Sequence, residues 1–172
     1  PVEGVTRDRV YGTYDWLGKV YDIIDTGGFV LNENDIINEN IKIQLDIAKD
    51  ESDFIVFIVD GKSELTSNDL ELAKNIRTLE KPFQLVVNKS DKQTEDSLNY
   101  HYYNLGLGDP IFISAEHGRN VGDLLDSIAS AFDNFNEHID EQNFINLAIA
   151  GMPNVGKSSL VNCIINKEKS IV

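Results

Sequence analysis

GMPNVGKS, the run from Gly151 to Ser158, matches the pattern GxxxxGK[ST] in full. An apolar run over Asn146–Ala150 precedes it and a helical pattern over Ser159–Ile165 follows it, so a strand leads into the loop and a helix leaves it. Glycines let such a loop curl until its backbone N–H groups surround anionic oxygens, and the helix N-terminus adds partial positive charge. The sequence therefore predicts a phosphate-binding loop.

Two side chains of this loop carry specific predictions. Lys157 is expected to bridge the β- and γ-phosphates of a nucleotide, and the Ser158 hydroxyl is expected to bind Mg²⁺. The residues expected to surround the phosphates from this side are Gly151, Met152, Pro153, Asn154, Val155, Gly156, Lys157, Ser158 and Ser159.

A second motif, Asn88-Lys89-Ser90-Asp91, follows the apolar run Phe83–Val87. Ligands of open α/β sheets bind at the carboxyl ends of strands. A carboxylate at Asp91 can accept hydrogen bonds from N1–H and the amine of guanine, whereas adenine would leave it unpaired. Asn88 is expected to tie this loop to the phosphate loop, and Lys89 to stack along the base. The backbone at Ser114 and Ala115, after the next strand, is expected to meet the guanine carbonyl oxygen.

Asp25-Thr26-Gly27-Gly28 ends an earlier strand and predicts the metal side of the site. Asp25 is expected to hold Mg²⁺ through a water, and Gly28 to contact the γ-phosphate and release it after hydrolysis. The residues expected to border the phosphates from this second side are Asp25, Thr26, Gly27, Gly28 and Phe29. Upstream, Thr6 is expected to complete the Mg²⁺ shell. Phe29 stands where many such enzymes place a glutamine that orients the attacking water, so slow intrinsic turnover is expected.

The rest of the chain alternates apolar strand-like runs with amphipathic helical stretches, which indicates an α/β fold with a mostly parallel sheet. Val10–Trp16 and Lys19–Ile24 are expected to form an antiparallel hairpin with its turn at Leu17-Gly18. The other predicted strands are Phe54–Val59, Phe83–Val87, Ile111–Ile113 and Ile145–Ala150. Helices are predicted from apolar stripes at Ile37, Ile41, Leu45 and Ala48, at Leu72, Ile76 and Leu79, and from Val121 to Phe132.

The net charge, the length of the apolar runs and the cysteine count argue against several classes of function. The formal charge of −14 over 172 residues argues against broad, non-specific binding of nucleic acid. The longest apolar run, Phe54–Val59, is far too short to span a membrane, so no membrane partner is expected. The single cysteine, Cys163, has no disulfide partner in the chain, and a cytoplasmic location is expected.

Together, GVTRDRVYG, DTGGF, VVNKSD, LGLGDPIFISAEHGRNVGDLLD and GMPNVGKSSLVN resemble the bacterial double GTPase family Der, or EngA, over nearly the whole chain. The resemblance implies a P-loop NTPase fold of the small-GTPase type, with helices on both faces of the sheet. It also implies Mg²⁺-dependent GTP hydrolysis, two G domains repeated in tandem, and binding of the large ribosomal subunit during its biogenesis. Related members use K⁺ held partly by a P-loop asparagine, here Asn154.

The order of the motifs departs from that family, because the phosphate loop comes last here. One explanation is that the chain is a segment of a longer protein with two G domains. Residues 1–134 would then be the first G domain without its own P-loop, 135–144 an acidic linker, and 145–172 the start of the second domain. The other is a circular permutation, in which the late phosphate loop completes the first domain within one chain. Two copies can also exchange this segment.

Three functions stay open. The chain is either part of an active GTPase or a non-hydrolysing binding segment that serves assembly. An ATP-dependent enzyme is the third reading, and the Asn88–Asp91 motif opposes it.

Overall fold

A computed structural model describes residues 10–26, 37–91, 100–133 and 144–167. The strands are β1 (Val10–Trp16), β2 (Lys19–Asp25), β3 (Phe54–Asp60), β4 (Phe83–Asn88), β5 (Ile111–Phe112) and β6 (Ile145–Ala150). The helices are α1 (Ile37–Glu51), α2 (Ser67–Arg77), α3 (Tyr100–Tyr103), α4 (Val121–Asp133) and α5 (Lys157–Lys167).

The described strands form one six-stranded sheet in the order β1-β2-β6-β3-β4-β5. Among the described strands, only β1 runs antiparallel to its neighbour, and the four other pairings are parallel. The turn between β1 and β2 has positive φ at both Leu17 (53°) and Gly18 (76°), the geometry that matches the twist of a two-residue hairpin. The predicted α/β class with one antiparallel hairpin is confirmed.

The last of the described strands, β6, lies in the middle of the sheet. It pairs with β2 through Asp25 and Ile149 and with β3 through Phe57 and Ala150. Because these strands are parallel, the ends of β2, β3, β4 and β6 share one edge. That edge therefore collects the residues that follow each strand, including the start of the phosphate loop.

Two apolar layers cover the sheet, because the buried strands are apolar on both faces. Along β3, Phe54, Val56 and Ile58 pack with α4 and α5, whereas Ile55 and Phe57 point to the layer of α1 and α2. Helices thus cover both faces of the sheet, as predicted.

The element bounds differ from the predicted ones in small ways. The last helix begins at Lys157 rather than Ser159, because the phosphate loop winds directly into it. Strand β5 ends at Phe112, although the Ile113 N–H still donates to the Val87 carbonyl oxygen at 2.9 Å. The one-turn helix α3 was not predicted, since four residues carry too little periodicity. The predicted linker, residues 135–144, lies outside the described residues except for Phe144.

No helix in the described part of the chain has both the length and the apolar character needed to cross a membrane.

Candidate functional site

The loop after β6 is curled tightly. A side chain at Gly151 would collide with the carbonyl oxygen of Ile58, so the first loop position tolerates only glycine. Further on, Asn154 and Gly156 both have positive φ, 65° and 99°. These conformations turn the loop back over the start of α5, where backbone N–H groups and a helix N-terminus meet.

Lys157 folds back into this loop. Its Nζ donates to the carbonyl oxygens of Gly151 at 2.8 Å and Met152 at 2.9 Å. The residue is only 8% exposed, and burial lowers the pKa of its ammonium while the nearby Asp25 carboxylate opposes part of that effect. The cation is thereby held at the centre of the loop, where phosphate oxygens would replace the two carbonyl groups.

Asp25 and Ser158 meet beside the lysine. The Ser158 hydroxyl donates to Asp25 Oδ2 at 3.2 Å, although the two residues are far apart in sequence. Asp25 is 2% exposed at the end of β2. A hydroxyl and a carboxylate side by side are the hard oxygen donors that Mg²⁺ takes, usually with one or two protein groups and the rest water and phosphate. The residues present therefore fit this metal.

The next residue, Thr26, anchors the turn after β2 to β6. Its N–H donates to the Ile149 carbonyl oxygen at 3.2 Å, and its hydroxyl lies 2.7 Å from the same oxygen. The hydroxyl is also 3.2 Å from Oε1 of Gln44, a buried residue of α1. The metal side of the site is thus fixed against both the strand and the helix.

Asn88 joins the two loops of the site. Its Nδ2 donates to the Val155 carbonyl oxygen at 2.8 Å, and its Oδ1 accepts from the Ala115 N–H at 3.0 Å. One buried amide therefore links the end of β4, the phosphate loop and the loop after β5. The Ala115 N–H is already used in this arrangement, so a guanine carbonyl oxygen would have to compete with Asn88 for it.

Lys89 adds a second link between the same loops. Its Nζ contacts Asp60 Oδ2 at 2.5 Å and the Asn154 carbonyl oxygen at 2.8 Å. The backbone at Lys89 has φ +63°, in the left-handed region. Asp60, which ends β3 and pairs with Asn88 in the sheet, holds this lysine in place.

Asp91 has both carboxylate oxygens occupied. The Ser114 hydroxyl donates to Oδ1 at 2.8 Å, and Lys62 Nζ donates to Oδ2 at 2.5 Å. The hydrogen bond from Lys62, followed by that from Ser114, lowers the pKa of Asp91. The group is thus an anion at neutral pH and can only accept hydrogen bonds.

A cleft of about 80 Å³ that opens to solvent lies at this edge of the sheet. Its lining residues are Lys62, Asn88, Lys89, Asp91, Ser114, Glu116, Gly156 and Ser159. Residues of the phosphate loop and of the predicted base loop therefore border one space. Pro153 and Asn154, in the middle of the phosphate loop, are exposed.

Four residues of the predicted site lie outside the described residues: Thr6, Gly27, Gly28 and Phe29. Their predicted contacts with Mg²⁺ and the γ-phosphate stay predictions.

Three residues at this edge were not singled out from the sequence: Gln44, Asp60 and Lys62. Asp60 follows a buried strand, the same signal that identified Asn88. Gln44 interrupts the apolar stripe of α1 between Ile41 and Ala48, a sign of a buried polar contact. Lys62 lies in a loop with no periodic pattern, and its sequence neighbours do not indicate its partner.

Comparison with known proteins places this site in context. A family model described as "50S ribosome-binding GTPase" matches residues 1–89 and 146–172. A protein named GTPase Der from Clostridium acetobutylicum is 48% identical over 98% of this chain, and one from Caldicellulosiruptor saccharolyticus is 47% identical over 98%. The chain spans 39% and 38% of the length of these two relatives. The resemblance to the Der family predicted from the sequence is confirmed.

Proposed function

Because the chain belongs to the 50S ribosome-binding GTPase family, we propose that it forms a guanine-nucleotide site and that the protein containing it hydrolyses GTP. The observation that carries the proposal is the Asn88 amide, which joins the phosphate loop at Val155 to the loops that border the base cleft. A nucleotide needs both halves at once, since its phosphates and its base must be held at a fixed separation.

Guanine selection is assigned to Asp91. Its low pKa keeps it a carboxylate, so its two oxygens can accept from the N1–H and the amine of guanine. An adenine base in the same position has an acceptor at N1 and no amine there, so the base would offer the carboxylate no donor. Ser114 supports the proposal because its hydroxyl already orients the carboxylate at 2.8 Å.

Phosphate and metal binding are assigned to the loop and the end of β2. Lys157 would exchange its two carbonyl partners for β- and γ-phosphate oxygens, and Asp25 with Ser158 would hold Mg²⁺. When bound, Mg²⁺ neutralises negative charge that develops on the phosphates. Thr6 and Gly28 are proposed to complete the metal shell and to contact the γ-phosphate.

Hydrolysis is proposed to rest on positioning and charge stabilisation. A hydrophobic residue, Phe29, follows the Asp25–Gly28 motif, so the chain offers no glutamine there to orient a water. Slow intrinsic turnover follows. We further propose K⁺ as an activator at Asn154, an exposed residue of the phosphate loop. Equal GTP turnover in Na⁺ and K⁺ buffers would remove K⁺ from the proposal.

The test of nucleotide binding is a calorimetric titration of the 172-residue chain with Mg²⁺·GDP, with ADP as a competitor. Saturation near one nucleotide per chain, without competition by ADP, supports the guanine site. Asp91→Asn is expected to shift preference from GDP to xanthosine diphosphate. Unchanged preference for guanine in that variant would remove Asp91 from the base site.

Repeating the titration over a range of protein concentrations tests how the site is completed. We propose that residues 145–172 complete the site formed with residues 1–134, and the position of β6 between β2 and β3 supports this. Constant affinity indicates completion within one chain, whereas affinity that rises with protein concentration indicates exchange of the segment between two copies. A folded chain that binds no nucleotide would contradict both.

The alternative is a segment that binds nucleotide without turnover and serves as an assembly module. Phe29 favours this reading for the isolated chain. Phosphate release from GTP by the purified chain, abolished in Lys157→Ala, would decide against it.

The description of the matched family supports the large ribosomal subunit as partner, and such a partner would place the protein in the cytoplasm. The net charge of −14 opposes non-specific RNA binding, so association is expected to be specific. We propose that it depends on the bound nucleotide. Co-sedimentation with 50S subunits in the presence of GDP or a non-hydrolysable GTP analogue tests this. Equal association in both states, or none in either, would contradict it.

A further inference from the structure

Gln44 is a buried polar residue on the inner face of α1. It is 4% exposed, and Ile41 and Ala48 beside it on the helix are buried apolar residues. An amide placed among such neighbours loses its water and has to be compensated by hydrogen bonds within the protein. The hydrogen-bond partners of Gln44 therefore indicate its role.

The side-chain oxygen of Gln44 lies where three parts of the site meet. The Gly151 N–H, the first of the phosphate loop, donates to Oε1 at 2.9 Å. The Thr26 hydroxyl lies 3.2 Å from the same oxygen and 2.7 Å from the Ile149 carbonyl oxygen, so its one proton can serve either. Oε1 thus connects α1, the turn after β2 and the phosphate loop.

This contact lies on the metal side of the site. Thr26 follows Asp25, which faces Ser158, and Gly151 supplies one of the carbonyl groups that hold Lys157. Gln44 itself is too buried to orient a water or to touch a nucleotide. Any effect of Gln44 on nucleotide binding is therefore indirect, because the residue acts by holding Thr26 and Gly151 in place.

We propose that Gln44 is a positioning residue that keeps the phosphate loop in register with the Asp25–Thr26 turn and thereby sets the preference for GTP over GDP. The inference rests on the proposed guanine-nucleotide site. GDP is held by the phosphate loop and the base cleft, whereas the third phosphate of GTP also depends on the turn after β2. Loss of the Gln44 oxygen therefore weakens GTP binding more than GDP binding.

The variants are Gln44→Met, which keeps the length and removes the acceptor, and Gln44→Glu, which keeps an acceptor oxygen. Ser52→Ala is the matched control, because it removes a buried hydrogen bond from a hydroxyl to the Ala48 carbonyl oxygen at 2.7 Å, away from the phosphate loop. The affinities for Mg²⁺·GDP and for a non-hydrolysable Mg²⁺·GTP analogue are measured for each variant by calorimetry.

Gln44→Met is expected to weaken binding of the GTP analogue about tenfold and of GDP about threefold or less, the size of one or two lost buried hydrogen bonds. Ser52→Ala is expected to change neither the affinity for the GTP analogue nor the affinity for GDP. Equal weakening of both nucleotides in Gln44→Met would overturn the proposed role in nucleotide preference.

Amide hydrogen exchange at Gly151 gives a readout that needs no nucleotide. Exchange is expected to be faster in Gln44→Met, to return toward the wild-type rate in Gln44→Glu, and to be unchanged in Ser52→Ala. An unchanged rate in Gln44→Met overturns the inference, even if Gln44→Met is less stable. A wild-type chain that binds neither nucleotide overturns the proposed function, and the exchange rate then still decides whether Gln44 holds the loop.

Discussion

The side chain of Asn88 donates from Nδ2 to the carbonyl oxygen of Val155 at 2.8 Å, across a sequence separation of 67 residues. Asn88 is 2% exposed at the end of β4, and Val155 lies in the phosphate loop. This bond holds the phosphate loop and the base cleft at one separation. It forms because β6, although last in the chain, lies inside the sheet.

Asn88→Ala is expected to weaken nucleotide binding at least about tenfold and to lower the free energy of unfolding. It leaves the Val155 carbonyl oxygen and the Ala115 N–H without their partner, and each unpaired buried group costs about 1–3 kcal/mol. Calorimetry with Mg²⁺·GDP and urea unfolding measure the two effects.

Asn146→Ala is the matched control for that variant. Asn146 is also an asparagine in a strand, but its Nδ2 contacts Asp53 Oδ2 at 3.2 Å, at the opposite end of the strands from the cleft. Its loss is expected to leave nucleotide affinity unchanged. Equal loss of affinity in both variants would show that Asn88 contributes only general stability.

Gly156→Ala is expected to abolish nucleotide binding. A Cβ at this position would collide with Nδ2 of Asn88, and φ of +99° strains any residue with a side chain. Gly108→Ala separates the two causes, since Gly108 has φ +76° and no atom within 4 Å of the added carbon. Gly108→Ala should cost about 1 kcal/mol of stability and leave affinity intact. A Gly156→Ala variant that binds GDP like the wild type would contradict the close approach of Asn88.

The fold and much of the site's outline were predictable because they depend on local patterns. Strand β3 is apolar at every position from Phe54 to Val59, which is typical of a strand buried on both faces. The glycines in the loop from Gly151 to Ser158 indicate its curled backbone. Such patterns involve only a few neighbouring residues, so they can be recognised without knowledge of the tertiary structure.

The contacts around the cleft were harder to predict, since they join residues distant in sequence. Lys62 and Asp91 are 29 positions apart, and only the pairing of β3 with β4 brings their loops together. The oxygen of Gln44 reaches Gly151 across 107 positions. A buried glutamine in an apolar stripe signals a hydrogen bond, but the sequence does not identify its partner.

Lys157 is expected to make stability rise with pH in the alkaline range. Burial lowers its folded-state pKa below the ordinary 10.5, so between the two values the unfolded chain binds more protons than the folded chain. Stability increases with pH wherever this holds. The increase begins as pH passes the folded pKa and ends near 10.5.

Urea unfolding of the wild type and Lys157→Met at several pH values up to about 10.5 measures this effect. The difference in unfolding free energy between the two proteins should shift in favour of the wild type as pH rises. Other groups titrate equally in both proteins and cancel in the difference. A difference that stays constant with pH would show that the Lys157 ammonium is not desolvated in the folded chain.

Lys62→Met is expected to strengthen GDP binding by about two- to fivefold, the effect of removing an exposed ion pair that competes for the same carboxylate. Lys62 Nζ occupies Asp91 Oδ2 at 2.5 Å, and guanine must displace it to reach that oxygen. The advantage of the variant should shrink as salt rises from about 0.05 to 0.5 M, because exposed charges are screened. Lys74→Met, an exposed lysine on α2, controls for the change in net charge. Weaker GDP binding by Lys62→Met than by Lys74→Met would mean instead that Lys62 contacts the nucleotide and stays in the site when the base is bound.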